Sequence, residues 1–416
     1  MSRLAVLAET QKLARLLGVA PEKLDYLRAL DAEQLRSLRE RLSASLFDGT
    51  RPMFQRVALA SKLLPNALVA LIGEKIFGPM LCARVAGLLP PDSALDVALR
   101  LPDAFLADVS AELDPRSAHG VIARMPAKRV IAVAAVLIQR GDFVTMGRFV
   151  DYLPQAIIKA TIDSIGDDAA LLKTAFFVEN KATLNQLVSL MPLPRIRAMV
   201  ALAGQHSELW TEALALMSYV DDGWKRKIGD LAADQDEAVL TALVKTAQSQ
   251  QLWDSLLPIV GCMSAASQQK LARLPAIANA EVLGSIVQAA DDNQLWAQLL
   301  PLLSHMPEAT RKTAAQIVEH LPQGVPDRLL EAANQLKLWP ELLDIVSLMD
   351  ADEKSHMAHL IGKQPDAVLG RLLEMVSERQ LWPQLLPQAG LMEPQALQRL
   401  QALAARLGLH WGGPDQ

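Results

Sequence analysis

Trp210, Trp253, Trp296, Trp339 and Trp382 stand 43 residues apart, and each follows a leucine. The words around them are nearly the same: LWDSLLP at 252–258, LWAQLLP at 295–301, LWPELLD at 338–344 and LWPQLLP at 381–387. A fixed period of about 20 to 50 residues marks a stacked array, in which each unit buries its apolar face against the next. The chain of 416 residues is therefore read as an array whose length no single core has to limit.

The period extends beyond tryptophan. Ten residues after four of the tryptophans stand Met263, Met306, Met349 and Met392, with Val220 in the first copy. Val239, Val282, Val325 and Val368 keep the register, as do Leu243, Ile286, Leu329 and Leu372, then Val244, Val287, Leu330 and Leu373, then Ala247, Ala290, Ala333 and Val376. Within one copy these positions fall at i, i+4, i+5 and i+8, an apolar stripe on an α-helix. Each copy is predicted to hold a helix such as 280–292, a second running from Trp to Met, and a third such as 308–320. Pro340 and Pro383 suit a helix's first turn; Pro258, Pro301 and Pro387 are expected to kink or shorten the second helix. Hydrophobic residues at 51% with aromatics at only 4% suit close-packed helices better than sheets.

Before residue 205 the rhythm is shorter. Pro90, Pro102, Pro115 and Pro126 each open a short Ala-rich amphipathic run, and similar joints recur at Pro154 and Pro192. Helices of about ten residues joined by tight turns are expected. The phrases LPPDSALDVALRLP and LDPRSAHGVIARMP within 88–130 resemble the cytoplasmic N domain of MgtE magnesium transporters and the related middle domain of the flagellar switch protein FliG. That resemblance implies a right-handed superhelix of short helices over roughly 80–200. The 43-residue copies resemble HEAT or armadillo arrays in period. Magnesium sensing in the transporter domain relies on acidic clusters, whereas Asp92, Asp96, Asp103 and Asp108 are scattered among basic residues. EHLPQ at 319–323 is similar to a Glu-His-Pro-Gln motif of the flagellar domain, with Leu321 inserted.

The expected fold is thus all-α, a right-handed α-solenoid. Its expected parts are an amphipathic lead-in over 1–56, short-helix repeats over 57–204, 43-residue repeats over 205–406 and a disordered tail over 407–416.

A net charge of −5 without long blocks of one sign gives no electrostatic case for nucleic acid. Cys82 and Cys262 are too few and too distant for a disulfide framework or a thiolate zinc site, and a cytoplasmic location is expected, peripheral to the inner face of the membrane in one reading. No window supplies the roughly 20 apolar residues of a spanning helix. Residues 57–90 are the greasiest stretch and keep peripheral membrane contact open.

The sequence carries no phosphate-cradling, nucleophile-elbow or HExxH motif, and no catalytic residue, cofactor or metal site is assigned. Glu353, His356 and His359 in EKSHMAH are half of a carboxylate-histidine metal pattern; a solvated polar face is the alternative. Trp224, Lys225 and Arg226 in DDGWKRKIGD read either as a partner patch with an aromatic anchor or as a helix with acid in its first turn. Phe143, Met146, Arg148 and Phe149 in RGDFVTMGRFVDYLP, between Gly141 and Gly147, read as a partner or ligand contact or as a hinge. Ile72 and Phe77 are the candidate contacts of the greasy stretch. The tryptophan column is either an aromatic strip or a series of core anchors, and the flanking leucines favour the core. Together these readings predict a non-enzymatic helical-repeat scaffold that binds a protein partner; the alternative is a binder or carrier of a hydrophobic ligand or lipid, membrane-associated through 57–90.

Overall fold

The computed structural model describes residues 3–48, 51–319 and 325–412. The described residues form 28 α-helices and no strand, and the chain divides into two compact units, Met1–Trp224 and Lys225–Gln416.

In the second unit the 43-residue period is a period of three helices. Trp253–Cys262, Ala265–Ala272 and Ala280–Asp292 make one copy; Trp296–Ser304, Glu308–Glu319 and Val325–Leu336 make the next; Trp339–Leu348, Ala351–Gly362 and Asp366–Glu378 follow, then Trp382–Ala389 and Pro394–Arg406. The three-helix reading holds, including the helix 280–292. Each tryptophan is the first residue of its helix, and the tryptophan-led helices stack on one another along the unit. Trp253, Trp296, Trp339 and Trp382 are consequently buried, as are the Met column and the columns that start at Leu243, Val244 and Ala247; of the Val239 column only Val325 is buried and the others are half-buried. The tryptophans are core anchors.

The leucine before each tryptophan has its own task. Gln251, Gln294, Lys337 and Gln380 all adopt left-handed backbone, with φ of 55°, 58°, 59° and 56°. Each follows the last turn of a helix, and the next residue's N–H returns to a carbonyl of that turn: Leu252 to Ala247 at 2.9 Å, Leu295 to Ala290 at 2.7 Å, Leu338 to Ala333 and Leu381 to Val376 at 2.8 Å. This is a Schellman ending, in which an apolar residue after the left-handed position closes over the helix it terminates. Leu-Trp is therefore two signals side by side, one ending a helix and one beginning the next.

Pro258, Pro301 and Pro387 lie inside their helices without shortening them in any regular way. The helix with Pro258 runs ten residues, the same length as Trp339–Leu348, which has Asp344 at that position. One lost backbone bond is outweighed by the apolar packing of Ile259 and Val260 beyond the proline.

The first unit begins with a helical hairpin, α1 (Arg3–Leu17) and α2 (Ala32–Asp48), joined through a 3₁₀ segment Pro21–Ala29. Leu13, Ala14, Leu24 and Leu35 give this hairpin a small core of its own. Then come α3 (Arg51–Ser61), α4 (Asn66–Ile72), a π turn Gly73–Phe77, and α5 (Gly78–Ala86). Short helices continue as α6 (Pro91–Arg100), α7 (Asp103–Glu112), α8 (His119–Ile122), α9 (Ala127–Gln139) and α10 (Phe143–Val150). Each packs mainly on the next but one, α5 on α7 and α7 on α9, the arrangement expected of helical repeats. Pro90, Pro102 and Pro126 stand at the helix starts as expected. Arg129 and Arg195, each three residues after such a proline, donate to carbonyls that end an earlier helix, those of Leu101 and Ile165. This ties successive turns together.

Pro115 departs from the expectation of a ten-residue helix. The Asp114 carboxylate accepts from the backbone and side chain of Arg116, and Ser117 Oγ donates to the Asp114 carbonyl at 2.8 Å. These local bonds hold 115–118 as turns, so only the four residues of α8 become helical.

Candidate functional site

The most conspicuous surface feature is apolar and lies on α3, α4, the π turn and the start of α5. Helix α3 buries Phe54 and Ala58 against Val85 of α5, and α4 buries Ala70 against Leu101 and Leu106. These stripes are narrow, and the remaining apolar side chains face solvent: Met53, Leu59, Leu63, Leu64, Leu68, Leu71, Ile76, Phe77 and Met80 are all exposed, Leu63 by 85% and Ile76 by 73%. The π turn contributes directly. One extra residue per turn shifts the helical register, Gly73 sits where an added Cβ would lie 3.0 Å from Cys82 Sγ, and Ile76 and Phe77 follow on the outside. Gly78 then leaves helical geometry with φ 74°. Of the two contacts nominated from sequence in this stretch, Phe77 is exposed and Ile72 is half-buried.

A second feature is ionic and buried. Glu9 and Lys12 of α1 are 2% and 3% exposed and pair at 2.9 Å. Arg39 of α2 holds Glu9 at 3.2 Å and Glu179 at 2.8 Å; Arg36 reaches Glu9 at 3.3 Å and Lys12 lies 3.7 Å from Glu179. Arg15 pairs with Asp142 at 2.7 Å, just before α10. Burial by itself would raise the Glu9 carboxyl, but Lys12, Arg39 and Arg36 hold it below the ordinary carboxylate range. The hairpin thus combines an apolar core with an internal ionic cluster around Glu9, and Lys12, Arg39 and Arg15 seat it on the short helices through Glu179 and Asp142. Sequence spacing gave no sign of this, because Lys12 and Glu179 are 167 residues apart.

The remaining nominated residues fall in several environments. Met146 is buried with Ala107, Ala134, Leu137 and Ile165, and Phe143 packs on the same cluster with Lys173 Nζ 5.6 Å from its ring centre. Phe149 packs against Ala83, Val109 and Leu113. Arg148 is half-buried and donates to the Leu113 carbonyl at 2.9 Å. Gly141, φ 67°, ends α9 as Gln251 ends its helix, and the Asp142 side chain caps α10 by accepting from Thr145 N–H. At Gly147 a Cβ would fall 2.6 Å from Phe177 Cβ and 2.8 Å from the Thr174 carbonyl. Both glycines thus have structural work.

Trp224 is half-buried near the start of the helix Asp222–Ala233, and its N–H donates to Asp221 Oδ1 at 2.9 Å. Lys225 is half-buried; Arg226 is exposed and donates to the Cys262 carbonyl at 2.9 Å. Glu353 is buried in a capping box with Asp350, and His359 pairs with Glu393 at 3.0 Å. Among the described residues no group of three or more His, Cys, Asp or Glu side chains is placed to hold a metal ion. Of the EHLPQ stretch, residues 320–323 lie outside the described residues. Trp411, in the stretch expected to be a disordered tail, meets Trp382 edge-on at 5.6 Å; 413–416 lie outside the described residues.

Burial pushes the Cys82 thiol up to about 11, which leaves it protonated and a poor nucleophile at neutral pH. No single described helix is long and apolar enough to cross a membrane; the one bent pair that passes by length and composition, Ala182–Leu190 with Leu193–Gln205, turns through 110°. A cavity in the second unit, lined by Leu243, Trp253, Leu256, Leu271 and Ile286 among others, holds about 40 Å³, room for a water-sized molecule and far less than an acyl chain fills. No family model matches the chain, and no curated protein is significantly similar to it.

Proposed function

We propose that the chain is a non-enzymatic helical-repeat scaffold, its repeats wound as a right-handed solenoid, that holds a protein partner on side chains left outside its repeated core. What supports this is the contrast between the two sets of positions in the second unit. The inward set repeats from copy to copy. The outward set changes: Lys245, Gln288, Glu331 and Glu374 occupy one position of the third helix, and Ser249, Asp292, Gln335 and Glu378 another. A row that passes from basic to acidic along a stack of constant core is suited to recognising one extended partner by charge and shape.

The test is site-specific photo-crosslinking in cells, with a photoreactive residue at 331 or 374 and at buried 343 as control. A discrete adduct from the two exposed positions, absent from 343, lost from 331 in a Glu374→Lys variant and from 374 in a Glu331→Lys variant, is the expected result. No adduct from either position would remove the proposal. The carrier alternative draws no support from the cavity described above; the membrane alternative rests on the α3–α5 surface.

A further inference from the structure

We propose that α3, α4, the π turn and the start of α5 form a docking surface for an anionic lipid bilayer. This goes beyond the scaffold reading and stands apart from it, because the surface belongs to the first compact unit and the proposed partner row to the second.

Three observations carry the proposal. First, exposed apolar patches mark contact surfaces. Here α3, α4 and the π turn expose Met53, Leu59, Leu63, Leu71, Ile76 and Phe77.

Second, the shape is that of protruding tips. Leu63 in the turn between α3 and α4 and Ile76 in the π turn have most of their surface in solvent, which floors of peptide-binding grooves do not. A partner helix is bound in a groove; an interface of headgroups and acyl chains accepts separate protruding side chains.

Third, the rim is mainly cationic. Arg51, Arg56, Lys62 and Lys75 are exposed among these side chains, in a chain whose net charge is −5. Glu74 is the single acidic residue from 51 to 80, and Lys75 already pairs with it at 2.7 Å. The acids of neighbouring α6, Asp92 and Asp96, are held by Arg124 at 2.6 Å and Arg100 at 3.2 Å. Cations flanking inserted apolar side chains match phosphate headgroups. A second copy seated here would set the same four cations against their equivalents, which opposes self-association.

Flotation of the full chain with vesicles tests this. One set is phosphatidylcholine alone, the other equal parts phosphatidylcholine and phosphatidylglycerol. The chain is expected to float with the anionic set and to partition at least about tenfold less to the neutral one. Leu63→Asp/Ile76→Asp and, separately, Arg56→Glu/Lys62→Glu should each lower flotation by about tenfold or more. These positions are exposed, so circular dichroism and melting temperature should match the parent and exclude misfolding. Flotation of neither vesicle set, or equal flotation of parent and variants, overturns the proposal. So does a concentration-dependent dimer in sedimentation that the Leu63→Asp/Ile76→Asp variant abolishes, which would assign the surface to a second copy. None of these outcomes bears on crosslinking from residues 331 and 374.

Discussion

The indole Nε1 of Trp253 donates to the side-chain carbonyl of Gln248 at 3.0 Å. The pair links the last turn of one helix to the first residue of the next, across the joint that Gln251 and Leu252 form. Position 248 also reaches the following copy, because Gln248 Nε2 donates to Ser285 Oγ at 3.0 Å. One copy later the same two positions are Asp291 and Arg328, and they form an ion pair. In the copy after that, Asn334 replaces Gln248; its side-chain oxygen is buried without a hydrogen-bond partner, and so is the Trp339 indole nitrogen.

Asn334 is one methylene shorter than Gln248, which leaves both groups unsatisfied. Asn334→Gln should restore the bond and add about 1 kcal/mol, read as a higher midpoint in denaturant unfolding. Gln248→Ala should lose about as much. An Asn334→Gln protein no more stable than the parent would show that the indole at 339 needs no side-chain acceptor.

The four left-handed joints carry side chains where glycine is easier. A left-handed residue with a Cβ costs about 1–2 kcal/mol, while glycine costs about 0.5–1 kcal/mol more than alanine in chain entropy. Gln294→Gly and Lys337→Gly are each expected to stabilise by roughly 0.5 kcal/mol, and the two together by about twice that, since they lie in separate joints. Calorimetry on the single and double variants checks the sign and the additivity.

At Gly147 the neighbour that a side chain would meet is backbone as well as the Phe177 Cβ. Gly147→Ala should therefore force α10 away from the turn at 174–177 and cost on the order of 1–3 kcal/mol. Thermal unfolding is the measurement, and a neutral result would mean that the two segments separate freely.

Glu179 joins Lys12 and Arg39 to the short helices. Glu179→Gln should raise hydrogen exchange in 3–48 while leaving 237–406 unchanged. The local opening cost should fall by on the order of 1–3 kcal/mol, less than for a wholly buried pair because Glu179 keeps about a quarter of its side chain in solvent. High salt should act in the same direction, as it does on any partly exposed ionic seat.

Acid should loosen the ionic cluster inside the α1–α2 hairpin. Glu9 titrates below its ordinary 4.5 in the folded chain, so it contributes stability that is fully present above that value. The contribution is lost as pH falls through the lower folded pKa. Unfolding of the parent should weaken with acid in that range more steeply than unfolding of Glu9→Gln, which already lacks the charge. Parallel pH dependences would contradict the assigned pairing.

Much of the fold can be read along the chain. A 43-residue period with its stripe at i, i+4, i+5 and i+8 prescribes helices 280–292 and 253–262, and leucines on both sides of each tryptophan prescribe burial. What the period hides is the joint. Schellman endings are recognised by glycine, and here glutamine and lysine take the left-handed backbone because the next leucine closes over the finished helix and outweighs the local strain. The turn at Pro115 escapes for a similar reason: Asp114 and Ser117 satisfy backbone groups locally that a proline-opened helix would otherwise use.

The two surfaces differ in how far sequence reaches them. The greasiness of 57–90 is visible in composition, but which side chains stay outside depends on the π turn and on how narrow a stripe Phe54, Ala58 and Ala70 need. Residue order alone determined the helices, their period and their buried columns, because helix formation and amphipathic packing are set by contacts a few residues apart and by a repeat that copies itself. Tertiary structure alone decided that Lys12 and Arg39 would meet Glu179 and that Leu63 and Ile76 would face water. Both depend on which distant helix lies alongside, and side-chain spacing along one segment does not encode that.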